Sequence, residues 1–402
     1  MLKFSNKPII SHFVFLFSIT VTTLTIIPAL FPSLYSSLHR ESIITSVDQF
    51  DFNINPLEPG LFFIPIILTG ILVLVISIII KFKGIKLRSI NLSKKYSYIS
   101  IIVILSIFTI LSYEDVTEPE LHEDWNFVKE SVMAWPTDIV LNDNHVKKFL
   151  LSSSFIIFGN YRVIPFLGSM ALIVMTYLLT NKITDSRLAG VIASVIILQS
   201  NLFLSFSTTG AYSNFWVLFY IISLFMIVHK TWFLQPVPYV MSIFSKILSI
   251  TFFPISIFFI LNAEISIKKK IISLLSLGIL ISVGIIFVGE AGVKSAIDWN
   301  GFWNGFVSFS YQMRYDGLVV LFLIPIVTGL YFISKKNQYA NSVSIMISSV
   351  LLTGPLLLAL TDITTQPYRF IPLVVFCAIG IGMILANQKE KVRQVSKNSR
   401  KQ

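Results

Sequence analysis

PVPYVMSIFSKILSITFFPISIFFILN, residues 236–262, decides the topology of the chain. The run is largely apolar with one charge, Lys246, and Pro254 follows eight residues later. A helix needs about 20 apolar residues to cross ~30 Å of hydrocarbon. This run is longer than that and interrupted, so it reads either as one crossing or as a hairpin that enters and returns. The charges on either side choose between them. A single crossing places the Lys268-Lys269-Lys270 run and the basic tail from Lys389 outside the membrane. Basic residues collect on the cytoplasmic side of membrane proteins. A two-legged hairpin with a cytoplasmic N-terminus puts 22 of the 31 Lys and Arg inside with only three of the 20 acids. The hairpin is the expected form, with Lys246 near its outer tip.

The remaining chain supports the membrane reading. Of 402 residues, 54% are hydrophobic and 13% charged, against roughly 25% charged in soluble proteins. The mean hydropathy is +0.79. Candidate spans lie at 10–31, 61–80, 97–113, 161–180, 187–206, 213–229, 271–289, 316–334, 340–360 and 369–386. The first follows Lys3 and Lys7, which also suits a secretory signal. It is too long for a typical signal core and lacks an A-x-A site, so a retained anchor is expected. The expected fold is therefore all-α: a polytopic helical bundle of about ten full spans plus the hairpin, with both termini cytoplasmic in a cell membrane. Three regions follow: residues 1–96, a two-span N-terminal addition with a basic loop; 97–386, the core; and 387–402, a basic tail.

This partition also disposes of other classes. The net charge of +11 is a consequence of topology, and no soluble basic stripe with interleaved aromatics points to nucleic acid. One cysteine, Cys377, excludes an intramolecular disulfide and a Cys-rich metal site. No G-x-x-x-x-G-K-[ST] motif and no cytoplasmic domain exist to hold a nucleotide, and Gly380-Ile381-Gly382 inside the last span reads as helix packing.

The chemistry is expected outside. Residues 114–148 carry nine of the 20 acids, with His122, His145, Trp125 and Trp135. A solvated acidic loop is the plain reading. Against it, His122-Glu123-Asp124-Trp125 directly precedes an amphipathic run, Asn126 to Trp135, suited to lying at the interface. Either carboxylate there can serve as a general base. A divalent ion at Glu123 or Asp124 stays open; no ligand-spaced histidine cluster exists for a structural metal. Residues 149–158 are too short to span and suggest a second interfacial helix ending at Gly159-Asn160, after which Arg162 opens a span.

Outer-face cations are few. Lys246 marks the hairpin tip, Arg314 ends an aromatic loop from Trp299 to Tyr315, and Arg369 follows Pro367-Tyr368. Singly, each could snorkel to lipid headgroups. Together in one cavity they would bind an anion, with a lipid phosphate the natural choice at that depth. Trp299, Trp303, Phe302, Phe306, Phe309 and Tyr311 read as an interfacial aromatic belt, or as a stacking surface for a sugar.

These features, in this order, resemble membrane glycosyltransferases of the GT-C fold, including the protein O-mannosyltransferase-like enzymes. The resemblance covers residues 97–386. Leu121 to Phe127 resembles their first-loop acidic motif, with Glu-Asp in place of the usual Asp-Glu. Asn144-His145-Val146 and the run ending Phe158-Gly159-Asn160 are similar to their His-Pro-Pro segment and Phe-Gly terminator, without the prolines. The Lys246-to-Pro254 spacing and Pro367-Tyr368-Arg369-Phe370 match their hairpin and late core span. The resemblance implies a polyprenyl- or dolichyl-phosphate-linked sugar donor and a glycan, lipid or protein acceptor. Asp124, or else Glu123, would be the base; Lys246, Arg369 and Arg314 would hold the donor phosphate; His122, His145, Trp125 and Tyr368 would contact substrate. Two rival expectations are a transporter or flippase of lipid-linked saccharide and a catalytically inactive relative.

Overall fold

In the computed structural model the described residues are 8–30, 68, 75, 92–120, 124–135, 144–229, 231–288, 294, 296–313, 316–361 and 366–385. Among them the fold is helical, with no strand. In chain order the helices are α1 (Pro8–Leu30), α2 (Lys94–Leu111), α3 (Tyr113–Thr117), α4 (Trp125–Met133), α5 (His145–Phe158), α6 (Val163–Thr184), α7 (Arg187–Leu198) and α8 (Asn201–Phe206). They continue with α9 (Phe215–Val228), α10 (Pro236–Ser245), α11 (Phe253–Asn262), α12 (Ile267–Val288), α13 (Trp299–Met313), α14 (Gly317–Ile333), α15 (Tyr339–Leu360) and α16 (Ile371–Leu385). Short 3-10 turns at Trp232–Leu234, Ile247–Phe252 and Pro367–Phe370 join some of them.

Among the described residues, five helices are long and apolar enough to cross a membrane: Ile9–Ile27, Lys94–Leu111, Val163–Thr184, Tyr339–Leu360 and Pro367–Leu385. This is fewer than the ten spans expected. The segment 61–80 lies almost wholly outside the described residues. The run 187–206 is not one helix: Ser200 accepts the Phe203 amide and caps a new start, splitting it into α7 and α8. At 12 residues, α7 covers about 18 Å, short of ~30 Å. The expected aromatic loop from Trp299 is another correction, because Trp299–Met313 is helical. Phe302, Phe306 and Phe309 recur at helical spacing; Phe306 and Phe309 are buried, and the Phe309 ring centroid lies 3.9 Å from that of Phe370. Those two rings belong to the core; Trp299 and Trp303 stay exposed.

The run 236–262 is broken by a turn at Lys246. Lys246 is extended between α10 and the 3-10 turn, with φ −163° and ψ 119°. The chain folds back there: the Tyr239 hydroxyl donates to the Ser249 carbonyl at 3.0 Å, and Ser242 Oγ meets Ser249 Oγ at 2.8 Å. Pro254 sits in the first turn of α11, where its missing N–H costs no helical hydrogen bond.

Small residues let the helices approach closely. The α7–α16 contact is among the most extensive, and it passes through Gly382. A Cβ there would lie 2.5 Å from the Ala189 carbonyl oxygen, a backbone atom that cannot rotate away. Helix packing therefore explains this glycine, as expected from sequence. Gly382→Ala should cost about 1–3 kcal/mol through overpacking despite alanine's better helix propensity. A lower melting temperature in detergent, with Ile381→Ala as control, checks this.

The first helix packs against α13, α14 and α15. Ser18 Oγ meets Ser348 Oγ at 2.8 Å, Asn341 Nδ2 donates to Ser11 Oγ at 3.0 Å, and Ser310 bonds the Thr25 carbonyl. Small polar residues of this kind join helices where water is scarce. So α1 shares the core's packing rather than standing apart from it.

Candidate functional site

Two stretches far apart in sequence build the site: the acidic segment before α4, and the link Ser207 to Asn214 between α8 and α9. Residues 125–133 and 145–158 form α4 and α5. The second begins at His145, earlier than expected, and ends at Gly159, whose φ of 68° is a left-handed conformation that glycine adopts without strain. Asn160 then donates to the Val116 carbonyl at 2.8 Å. The buried Arg162 guanidinium donates to the Glu118 carbonyl at 2.8 Å and to Thr208 Oγ1 at 3.2 Å. One arginine thus ties the acidic segment to the 207–214 link.

Glu120 strengthens the same junction. Its two carboxylate oxygens accept the amides of Gly210 and Ala211 at 2.8 and 2.9 Å. Gly210 has no room for a side chain: a Cβ would lie 2.6 Å from the Trp125 ring. Trp125 in turn meets Tyr161 edge-on, centroids 5.2 Å apart. Trp125 was expected to touch substrate; its contacts are those of a scaffold ring that seats the link against α4.

Asp124 stands at the N-cap of α4 but makes no side-chain cap bond. Its Oδ2 instead accepts the Tyr212 hydroxyl at 2.5 Å. Tyr212 stacks on Tyr368, with centroids 4.3 Å apart and planes 23° from parallel. The Lys246 ammonium lies over the Tyr368 ring, 3.5 Å from its centroid, and 5.3 Å from that of Trp216. Lys246 and Tyr212 cannot share one face of Tyr368 at these distances, so the tyrosine ring is sandwiched between them. Arg369 lies 5.9 Å from the same ring.

Burial, with Arg369 and then Lys147 nearby, pushes the Lys246 ammonium well below its ordinary value. Lys147, on α5, donates to the Ala211 carbonyl at 2.5 Å. Among the described residues no carboxylate forms an ion pair with Lys246. Three cations therefore gather where Coulomb repulsion disfavours them, and an anion would relieve it.

Of the predicted residues, Asp124, Lys246, Tyr368 and Arg369 are brought together. His145 opens α5, its ring 6.2 Å from that of Phe244 on the hairpin. His122, Glu123 and Arg314 lie outside the described residues. Among those described, no group of three His, Cys, Asp or Glu is placed to hold a metal ion. Sequence reasoning missed Tyr212, Glu120 and Lys147. Lys147 carried a usable signal, being one of nine basic residues left on the outer side.

No family model, curated protein or solved structure matches this chain.

Proposed function

We propose that the chain is an integral-membrane glycosyltransferase of GT-C type, moving a sugar from a polyprenyl- or dolichyl-phosphate donor to an acceptor at the extracytoplasmic face. The observation that carries this reading is the continuous path Asp124–Tyr212–Tyr368–Lys246, which puts a carboxylate at one end and gathered cations at the other. Five helices among the described residues fit to cross a membrane support a multi-pass protein, and the charge partition of the sequence supports both termini in the cytoplasm.

In this reading Asp124, with Glu123 as the alternative base, takes the proton of an acceptor hydroxyl. The oxygen attacks the anomeric carbon, the bond from that carbon to the phosphate oxygen breaks, and the phosphate leaves with the electron pair. Lys246, Arg369, Lys147 and Arg314 stabilise the charge that gathers on it. One displacement inverts the anomeric centre. A divalent ion at Glu123 or Asp124 is not needed for this chemistry, because the cations already supply positive charge.

The test is to incubate the purified chain in nanodiscs with polyprenyl phosphate carrying a radiolabelled hexose. A transferase releases free polyprenyl phosphate with time and moves the label to acceptor or water. A flippase relocates the donor intact, and that result would overturn the reading.

A further inference from the structure

The hydroxyl of Tyr212 is spent on one oxygen of one carboxylate. Asp124 begins α4 and would ordinarily cap it, yet its side chain turns to Tyr212 instead. The tyrosine cannot drift, for three reasons on three sides. Its ring is stacked on Tyr368. It meets Phe206 edge-on, at 5.7 Å and 84°. Its backbone follows Gly210 and Ala211, whose amides are held by Glu120.

Resting on the glycosyltransferase reading, we propose that Tyr212 is a positioning residue: it fixes Asp124 through Oδ2, presents Oδ1 to the acceptor, and ties that orientation to Lys246 through the Tyr368 sandwich. The groups that surround Tyr212 with charge or titratable protons are Asp124, Glu120 and Tyr368. Burial, followed by the bond to Asp124, holds the Tyr212 hydroxyl above its ordinary range, so it remains a donor across the working pH. The arrangement thus sets the aim of the proton acceptor.

The experiment uses membranes carrying the full chain, with polyprenyl phosphate bearing a radiolabelled hexose as probe. Tyr212→Phe keeps the ring and the stack and removes only the hydroxyl. It should lower kcat roughly 10-fold and leave the donor KM nearly unchanged. Tyr212→Leu also loses the stack and should raise the donor KM as well. An unchanged kcat in Tyr212→Phe, beside an inactive Asp124→Asn, would overturn the positioning role and leave the functional reading intact. An active Asp124→Asn would instead strike the functional reading itself.

Discussion

Asp124→Asn should lower sugar transfer in isolated membranes by about 10²- to 10⁴-fold, the usual contribution of a general base. The substitution is nearly isosteric. The amide oxygen can still accept the Tyr212 hydroxyl, so the sandwich and the cations behind it stay in place. What disappears is a group able to take a proton at neutral pH. Donor binding should therefore be unchanged while kcat falls, which is the mark of an interaction that acts after binding. Melting temperature should also hold, because Asp124 is exposed and caps nothing. Full activity in this variant would return the role to Glu123, and full activity in the double variant with Glu123→Gln would end the assignment of a carboxylate base in this segment.

Much of this was legible in the sequence because membranes impose coarse rules. Charge parity alone called for a turn inside 236–262, and the chain does reverse at Lys246. Pro254 and Gly159 sit where their backbone limits place them. The residues that failed to announce themselves share one property. Tyr212 and Glu120 act on partners about 90 positions away, and neither has a local pattern. Among nine acids in one loop, Glu120 looks like any solvated carboxylate; only the amides of Gly210 and Ala211 distinguish it. The aromatic stretch from Trp299 misled for a related reason. Its composition is that of an interfacial loop, and its periodicity, which is helical, had to be weighed against that. The division of 187–206 at Ser200 was missed because apolar runs hide a serine cap.

The same contacts explain why the carboxylate and the cations form a single unit. Arg162 and Glu120 fasten the acidic segment to the 207–214 link, and the link delivers Tyr212 to the last 3-10 turn, Pro367–Phe370. The hairpin delivers Lys246 to the opposite face of Tyr368. Neither end of the site is positioned by its own helix alone, so its geometry depends on tertiary packing and not on local propensity.

Lys246→Met should separate stability from function. The Lys246 ammonium is disfavoured by burial and by its neighbours Arg369 and Lys147. Its folded pKa is therefore lower than its unfolded one. Between those two values the unfolded chain binds more protons, so stability rises with pH across that window, and the full cost of the charge is felt below it. Methionine fills similar space without the charge and still packs against Tyr368 and Trp216. The variant should melt at a higher temperature than the wild type at neutral pH, and its melting temperature should lose part of the upward trend with pH. Adding undecaprenyl phosphate should raise the melting temperature of the wild type, because a ligand that binds only the folded chain stabilises it. It should do so much less for Lys246→Met. Transfer should fall about 10²- to 10³-fold, the size expected when one preorganised charge is removed from a leaving group. A variant that is more stable, blind to the lipid phosphate and nearly inactive would mean that this lysine is kept for the anion at a cost to the fold. A variant that is simply less stable, with phosphate binding intact, would make Lys246 a structural cation and remove the donor end of the site.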